Sequence, residues 1–315
     1  MATDRPERKI SVESGDGFWR GQFLAMASPC EVLCETDAAE EARRLTELAA
    51  AEAWRIEDKF SRYQQGNIVD RINEAAGAAV EVDTETSQLI DFSVTLYELS
   101  AGRFDITSGV LRRAWRFDGS GNFPSAALIE KVMRDVGWDQ VTWEAPVLQM
   151  RPGMQIDFGG IGKEYAVDRA AMLVRQASRA SCLLNFGGDL VAIRPPRNQE
   201  TWKVGVETVD ASSSNAEKLL NLAVGALATS GDARRYLVNN GIRYSHILDP
   251  KTGWPVSDAP RSITVAADTC TQAGMLSTLA MLEGARAEAF LDAQQVRYWC
   301  NRGVTGPAAE AAKIA

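Results

Sequence analysis

The residues with the clearest chemical potential form a glycine-rich stretch at positions 156–168, Ile-Asp-Phe-Gly-Gly-Ile-Gly-Lys-Glu-Tyr-Ala-Val-Asp. Three glycines just before a helix let a ligand approach the backbone closely. The free N–H groups at the helix start, with the positive end of its dipole, favour an anion such as phosphate, and Lys163 adds a positive charge there. The pattern is neither the dinucleotide-binding fingerprint nor the P-loop. Taken alone, it fits a tight strand-to-helix turn equally well.

The only histidine, His246, lies in a second polar stretch at positions 244–253, Tyr-Ser-His-Ile-Leu-Asp-Pro-Lys-Thr-Gly. A histidine titrates near neutral pH and can accept a proton during catalysis. Its place beside Ser245 and just before an Asp-Pro turn favours a functional role over a structural one.

Three further stretches combine aromatic, polar and small residues. Residues 60–63 end a long helical pattern with Tyr63, which could cover an aromatic ligand or simply be a half-buried residue at a helix end. Residues 102–109 form a polar loop flanked by glycines. Residues 228–232 bring hydroxyl groups to a strand end, or cap a helix over 232–237.

The composition narrows the class of protein. The chain has 315 residues, of which 45% are hydrophobic and 24% charged, as in an ordinary globular protein. A net charge of −8 with scattered basic residues disfavours non-specific binding to nucleic acid or anionic membranes. No apolar run approaches the roughly 18–20 residues of a membrane span, and the charged N-terminus lacks the apolar core of a signal peptide. We therefore expect no nucleic-acid or membrane partner, and a cytoplasmic location.

The cysteines are odd in number and lie mostly among apolar residues, which favours buried thiols in a reducing compartment over a disulfide framework. They are Cys30, Cys34, Cys182, Cys270 and Cys300.

Hydrophobic periodicity predicts the elements that must position these residues. Helices are expected over residues 38–60 and 85–100, from Pro124-Ser125 to 136, from the glycine-rich turn to about 177, and over 270–282 and 285–293. Strands are expected over residues 18–24, 31–35, 140–143, 148–151, 154–158, 182–186, 202–207, 219–224, 226–229, 243–248, 261–267 and 296–300. Strands and helices do not alternate regularly, so the pattern favours an α+β fold. Residues 17–303 are expected to form one domain of two closely joined halves, between a flexible N-terminus (1–16) and a flexible tail (304–315).

In this order, the polar stretches resemble the ApbE family of FAD:protein FMN transferases, over about residues 23–300. The resemblance rests on the Met26 turn, Phe60-Ser61-x-Tyr63, Gly102-x-Phe104-Asp105-x-Thr107, Asp157-x-Gly159-Gly160-x-x-Lys163-x-Tyr165-Ala166-Val167-Asp168, Asn185-Phe186-Gly187-Gly188-Asp189, Ala228-Thr229-Ser230-Gly231, Tyr244-Ser245-His246-Ile247-x-Asp249-Pro250-x-Thr252-Gly253 and Leu276-Ser277-Thr278. It implies a T-fold-like arrangement of mixed, largely antiparallel sheets flanked by helices, with an FAD cleft between the two halves.

The resemblance also implies an activity. Such enzymes split FAD and attach FMN to a Thr or Ser hydroxyl of an acceptor flavoprotein, releasing AMP, with magnesium on the pyrophosphate. By resemblance, FAD is contacted by Met26, Tyr63, Arg103, Phe104, Asp105, Asp157, Lys163, His246 and Ile247. The metal would face Gly160, Ser277 and Thr278. His246 would also accept the proton of the acceptor hydroxyl.

Two positions depart from the family pattern. The family's metal motif reads Ala-Asp-x-x-x-Thr, whereas positions 273–278 read Ala-Gly-Met-Leu-Ser-Thr, so Gly274 stands where the carboxylate is expected. Glu164 stands where the family usually has glycine. Magnesium is held mainly by one or two carboxylates with phosphate oxygens and water, so this loss would weaken its binding. The side chains that could supply a metal ligand in place of the missing carboxylate are those of Gln272, Asp249 and Asp268.

These departures leave three hypotheses open. The first is a flavin transferase that retains activity. The second is a non-catalytic FAD-binding or regulatory protein, and the third is a magnesium-dependent FAD hydrolase that yields FMN and AMP. The acceptor protein and the oligomeric state are not specified by the sequence.

Overall fold

The computed structural model of the protein describes residues 8–118, 121–207, 216–232 and 236–303. The helices are α1 (Ala39–Phe60), α2 (Ile68–Asn73), α3 (Thr84–Leu99), α4 (Ala126–Met133), α5 (Gly162–Ala177), α6 (Cys270–Leu282) and α7 (Ala287–Ala293). Short 3-10 helices cover Ile106–Arg113, Trp138–Gln140 and Gly284–Arg286. The strands are β1 (Ile10–Ser14), β2 (Trp19–Ala25), β3 (Ser28–Glu35), β4 (Val80–Glu81), β5 (Thr142–Glu144), β6 (Val147–Gln149), β7 (Ser181–Phe186), β8 (Asp189–Ala192), β9 (Trp202–Glu207), β10 (Ala216–Leu222), β11 (Gly225–Gly231), β12 (Tyr236–Asn239), β13 (Ile242–Ser245), β14 (Ser262–Ala267) and β15 (Arg297–Asn301).

An eight-stranded sheet forms the centre of the fold, in the order β1-β2-β3-β7-β8-β11-β14-β15. All of its neighbouring strands pair antiparallel. Smaller sheets are formed by β9 with β10, by β12 with β13, and by β4, β6 and β5. The predicted α+β class with largely antiparallel sheets is therefore confirmed.

Helices α1, α5 and α6 pack on the central sheet and on each other. The apolar side chains of α1 recur at three- and four-residue steps, and Leu45, Ala49 and Ile56 are fully buried. Gly21 on β2 lets α1 approach the sheet, because a Cβ atom there would lie 1.9 Å from Thr46 Oγ1. This layer of helices carries Lys163 and Glu164 at the start of α5 and all of positions 273–278 in α6.

Two smaller apolar clusters lie outside this main core. One contains Trp202 and Leu220 of the β9–β10 pair packed with Leu183 and Leu227 of the central sheet. The other surrounds Trp115 and includes the aromatic rings of Phe117, Phe123, Tyr244 and Trp254.

The N-terminal prediction was wrong for part of its range. Ile10–Ser14 forms β1 and pairs with β2, whereas residues 1–16 were expected to be flexible. The side chains of Ile10 and Val12 alternate onto the main core, which explains the strand. Residues 1–7 and the predicted tail at 304–315 lie outside the described residues.

The strand predicted over 154–158 is absent. Its apolar side chains are buried as expected, but its backbone has other partners: Ile156 N–H donates to Asn73 Oδ1 and Asp157 N–H donates to the carbonyl of Ile106. The glycine-rich stretch is therefore reached from a loop and not from a strand.

The alternative helix over 232–237 is also wrong where the chain is described. Tyr236 begins β12, which pairs with β13 across a turn at Asn240 and Gly241. Within the described residues, no helix has the length and apolar character needed to cross a membrane.

Candidate functional site

The packing of α5 against α6 sets the geometry of the site. The Asp168 carboxylate on α5 accepts hydrogen bonds from the N–H groups of Cys270 and Thr271, both at 2.8 Å, and from Thr271 Oγ1 at 2.6 Å. These bonds satisfy free N–H groups in the first turn of α6. One turn earlier on α5, Glu164 meets Gly274, which lies one turn later on α6. The two helices thus run antiparallel at this contact.

Glu164 fills space that Gly274 leaves free. A Cβ atom on Gly274 would lie 2.5 Å from Glu164 Cγ and 2.9 Å from its Oε1. Real Cβ atoms do not approach other atoms so closely, so a larger residue at 274 would require the Glu164 side chain to move. Glu164 Oε2 is buried and has no hydrogen-bond partner.

Lys163, which is partly exposed, forms an ion pair with the buried Asp189 next to Glu164. Lys163 Nζ lies 2.6 Å from Asp189 Oδ2, and Asp189 Oδ1 accepts a hydrogen bond from the N–H of Thr229 at 3.2 Å. Burial alone would lower the pKa of the Lys163 ammonium, but the negative charges of Asp189 and Glu164 outweigh it and raise that pKa. Burial, reinforced by Asp189 and opposed by Lys163, raises the pKa of Glu164 to about 8. The Lys163 ammonium therefore lies near both carboxyl groups but, of the two, forms an ion pair only with Asp189.

Hydroxyl groups line the neighbouring part of α6. Ser230 Oγ on β11 lies 2.8 Å from Ser277 Oγ and 3.1 Å from Thr278 Oγ1. Ser277 Oγ also donates to the carbonyl of Gly274 at 3.0 Å. Thr278 lies one helical turn after Gly274 and so shares its face of α6. The structure thus brings together Ser277 and Thr278, two of the predicted metal-facing residues, beside the Glu164 contact.

Gly160 and Met26 lie in turns close to this region. A Cβ atom on Gly160 would lie 3.1 Å from the ring of Phe104, so this ring packs closely against the glycine-rich turn. Met26 lies in the β2–β3 turn with a positive φ of 52°, and its N–H donates to Glu57. The adjacent turn after β7 contains Gly187, where a Cβ atom would lie 2.7 Å from the Cβ of Ser28 at the start of β3 and 3.8 Å from Lys163 Nζ.

Asp157 is held by a residue that the sequence analysis missed. Its Oδ2 lies 3.1 Å from Arg62 NH1, which also donates to the carbonyl of Gly109 at 2.8 Å. Asp157 Oδ1 accepts from the N–H of Gly159 at 2.9 Å. Arg62 occupies the unspecified position of the Phe-Ser-x-Tyr motif. Its place directly before Tyr63 was the feature of the sequence that could have identified it as a site residue.

Tyr63 itself is 66% exposed, and the guanidinium of Arg112 lies 4.5 Å from the centre of its ring. The alternative prediction, a half-buried Tyr63 at a helix end, is therefore wrong. An exposed aromatic face beside a cation is available to a planar ligand.

Asp105 and Arg103 have structural partners. The buried Asp105 carboxylate caps the 3-10 helix at Ile106–Arg113 by accepting from Thr107 N–H and Oγ1, and it also accepts from Trp138 N–H at 2.9 Å. Burial raises its pKa in spite of these bonds. Arg103 NH1 lies 2.6 Å from Glu283 Oε1 and ties the loop to the end of α6. Both side chains therefore position the loop that carries Phe104.

His246 directly follows β13 and borders the aromatic cluster. Its ring lies edge to face with Phe117, at 6.2 Å between ring centres, and is half-buried. Ile247 donates to Ser245 Oγ at 3.1 Å and accepts from Val256 N–H at 3.0 Å. These bonds fix the backbone on which His246 is presented.

The arrangement can be compared with known proteins. A family model described as the ApbE family matches residues 26–299. The chain belongs to the ApbE family.

Relatives of this ApbE-family chain include the FAD:protein FMN transferase of Vibrio cholerae, which is 27% identical over 76% of this chain and 74% of its own length. The FAD:protein FMN transferase of Klebsiella pneumoniae is 29% identical over 71% of each chain. Among solved structures, the ApbE protein of Thermotoga maritima superposes with a TM-score of 0.81 at 30% identity, covering 90% of this chain and 94% of that one. The expected ApbE-like fold is thus confirmed.

Proposed function

We propose that this protein transfers FMN from FAD to a Thr or Ser hydroxyl of an acceptor flavoprotein and releases AMP. The observation that carries the proposal is the match to the ApbE family over residues 26–299, with relatives named FAD:protein FMN transferase. The proposal is also supported by the contact between Glu164 on α5 and Gly274 on α6, which has Lys163 before it on α5 and the Ser277 hydroxyl bonded to the carbonyl of Gly274.

The reaction is a phosphoryl-group transfer. The acceptor oxygen attacks the phosphorus that stays with FMN, the bond from this phosphorus to the bridging oxygen breaks, and AMP leaves with that oxygen. We assign to His246 the acceptance of the proton that the acceptor hydroxyl loses. Phe104 and the Arg62–Asp157 pair hold the glycine-rich turn in place for the phosphates.

The proposal includes magnesium, which the oxygen atoms of this region would hold. The carbonyl of Gly160 and the hydroxyls of Ser277 and Thr278 are oxygen donors, which suit a hard cation. None of them carries a charge, and within the described ranges no group of three His, Cys, Asp or Glu side chains could hold an ion. The oxygen set fits magnesium when the phosphates of FAD and a nearby carboxylate complete it. When bound, the ion would neutralise charge on the pyrophosphate.

The experiment mixes the purified protein with FAD, MgCl₂ and each of a panel of flavoproteins known to carry FMN on Thr or Ser. Chromatography measures AMP, and mass spectrometry measures the acceptor. We expect AMP and an FMN-labelled acceptor together, and loss of both with EDTA or in the His246→Ala variant. AMP release that needs no acceptor would make the protein a hydrolase. Tight FAD binding with neither product across the panel would make it a flavin-binding protein.

A further inference from the structure

We propose that Glu164 on α5 supplies the carboxylate of a divalent-cation site whose remaining protein oxygens come from α6 and the glycine-rich turn. The inference rests on the proposed function in one respect, because FAD is the phosphate ligand expected to complete the site. It assigns a role to Glu164 that the sequence analysis did not give it.

The first observation is an unsatisfied buried carboxyl group. Glu164 Oε2 has no hydrogen-bond partner, although it is shielded from solvent. An unpaired polar atom in the interior costs free energy that a structural side chain normally avoids. A carboxylate oxygen left open in this way is suited to a ligand that arrives from outside the chain.

The second observation is the complementary space on α6. Glu164 lies against Gly274, where a Cβ atom would approach its Cγ to 2.5 Å. The carboxylate therefore occupies the volume next to α6 that a side chain at position 274 would otherwise fill. The sequence predicts that Gly274 and Glu164 each depart from the family pattern, and the structure shows that they form one contact. A carboxylate reaching this volume from α5 replaces one reaching it from α6.

The third observation is the set of oxygen donors around the same helix face. Thr278 follows Gly274 by one turn, and its hydroxyl lies within 3.1 Å of Ser230 Oγ. Ser277 Oγ lies 2.8 Å from the same Ser230 atom. Hydroxyl and carboxylate oxygens are ligands that magnesium and manganese accept.

The fourth observation concerns charge. Asp189 is the other buried carboxylate of the cluster, but Lys163 Nζ already lies 2.6 Å from it. Within the described residues, Glu164 forms no ion pair of its own. A divalent cation would supply a partner for its carboxylate, which makes Glu164 the anchor of the site and leaves the Lys163–Asp189 pair beside it.

The experiment measures Mn²⁺ binding by electron paramagnetic resonance in the presence of FAD and without any acceptor protein. Glu164→Gln keeps the size of the side chain and removes its charge. We expect it to weaken Mn²⁺ binding by about 100-fold or more, since even loss of a group that only supports a metal ligand costs about 10–100-fold. Binding as tight as in the unchanged protein would overturn the inference.

A matched pair of double variants separates charge from packing. Glu164→Gly with Gly274→Asp moves the carboxylate from α5 to α6, and Glu164→Gly with Gly274→Asn places a neutral side chain of the same size there. We expect the Asp variant to recover Mn²⁺ affinity to within about 10-fold of the unchanged protein, and the Asn variant to stay weak. Equal recovery in both would show that Glu164 only fills space. Circular dichroism checks that each variant is folded, and Glu164→Gln alone decides the matter if a double variant is not.

The two proposals fail in different ways. If Mn²⁺ binding depends on Glu164 but no acceptor gains FMN, the site stands and the transferase assignment falls. If the Glu164→Gln variant transfers FMN with unchanged metal dependence, the transferase stands and the role of Glu164 falls.

Discussion

Glu85 on α3 and Glu164 on α5 are both partly enclosed carboxyl groups, but the protein hydrogen-bonds both oxygens of Glu85 and leaves Glu164 Oε2 without a partner. Glu85 accepts from Arg55 at 2.7 and 2.9 Å, from Lys59 at 2.6 Å and from the hydroxyl of Tyr165 at 2.8 Å. These bonds, Arg55 foremost, outweigh partial burial and lower the pKa of Glu85 to about 2. Glu164 precedes Tyr165 in the chain, yet its Oε2 has no partner and burial raises its pKa to about 8.

The comparison distinguishes a carboxylate whose charge is balanced within the protein from a carboxyl group that we propose is kept for a ligand. At Glu85 the protein provides every cation itself, so the network links α1, α3 and α5. At Glu164 the protein provides the space beside Gly274 and nearby hydroxyl groups, while the Lys163 ammonium pairs with Asp189. Substitutions in the two regions should therefore affect different properties.

The largest change in stability is expected from Lys163→Met. It removes the ammonium from two buried carboxyl groups and should lower the free energy of unfolding by about 3 kcal/mol, near the lower end for breaking a buried ion pair. Urea-induced unfolding at pH 7 measures it. A loss below about 1 kcal/mol would show that the Glu164 region does not depend on this cation.

The next largest loss of stability is expected from Glu85→Gln, and the size of this loss depends on pH. Because the folded-state pKa is lowered, the ion pairs of Glu85 stabilise the protein above the ordinary pKa of about 4.3 and lose that effect as the pH falls towards 2. We expect a loss of about 2 kcal/mol at pH 7, after allowance for solvent screening, and a smaller loss at pH 3. Unfolding curves at both pH values measure it, with Mn²⁺ binding as the control that should not change. A loss independent of pH would contradict the assignment.

In the metal-free protein, Glu164→Gln should have the opposite pH dependence: the variant should become more stable relative to the unchanged protein as the pH rises. A raised folded-state pKa means that burying this group destabilises the unchanged protein progressively as the pH rises from about 4.3 towards 8. The variant should thus lie within about 1 kcal/mol of the unchanged protein at pH 5 and gain on it at pH 8. Thermal unfolding in EDTA measures this. Parallel pH profiles for the two Gln variants would remove the contrast between the carboxyl groups.

The smallest effect is expected from Arg113→Ala. Arg113 pairs with Asp135 at 3.1 Å, but its side chain is 43% exposed, and exposed pairs contribute roughly 0–1 kcal/mol. Urea unfolding beside Lys163→Met compares an exposed pair with a buried one in the same fold. A loss as large as that of Lys163→Met would mean that burial does not govern these ion pairs.

Much of the fold follows from sequence periodicity. The helices α1 and α6 lie within about a residue of their predicted ranges, and α5 ends where its helix was predicted to end. In α1 the apolar residues recur at helical steps, and in α6 small and apolar residues predominate. The strand predicted over 154–158 shows the limit of the method. Its apolar residues are buried, but an alternating pattern does not reveal that the N–H groups of Ile156 and Asp157 bond to Asn73 and Ile106. The β1 strand was missed because only Ile10 and Val12 mark its buried face.

The site was predictable in its motifs but not in its contacts. The sequence predicted Gly274 and Glu164 as two separate departures from the family pattern, yet nothing in one sequence showed that they touch. Their contact depends on the register between α5 and α6, which Asp168 fixes through the first turn of α6. Long-range register of this kind arises from tertiary packing and leaves no local periodicity.

The most direct test of the account is a crystal structure of the protein with Mn²⁺ and FAD, with the ion located by its anomalous scattering. The account predicts an ion bound to FAD phosphate oxygens and within about 2–2.5 Å of a Glu164 carboxylate oxygen, beside Thr278. An ion held by the phosphates while Glu164 lies uncoordinated against Gly274 would contradict it.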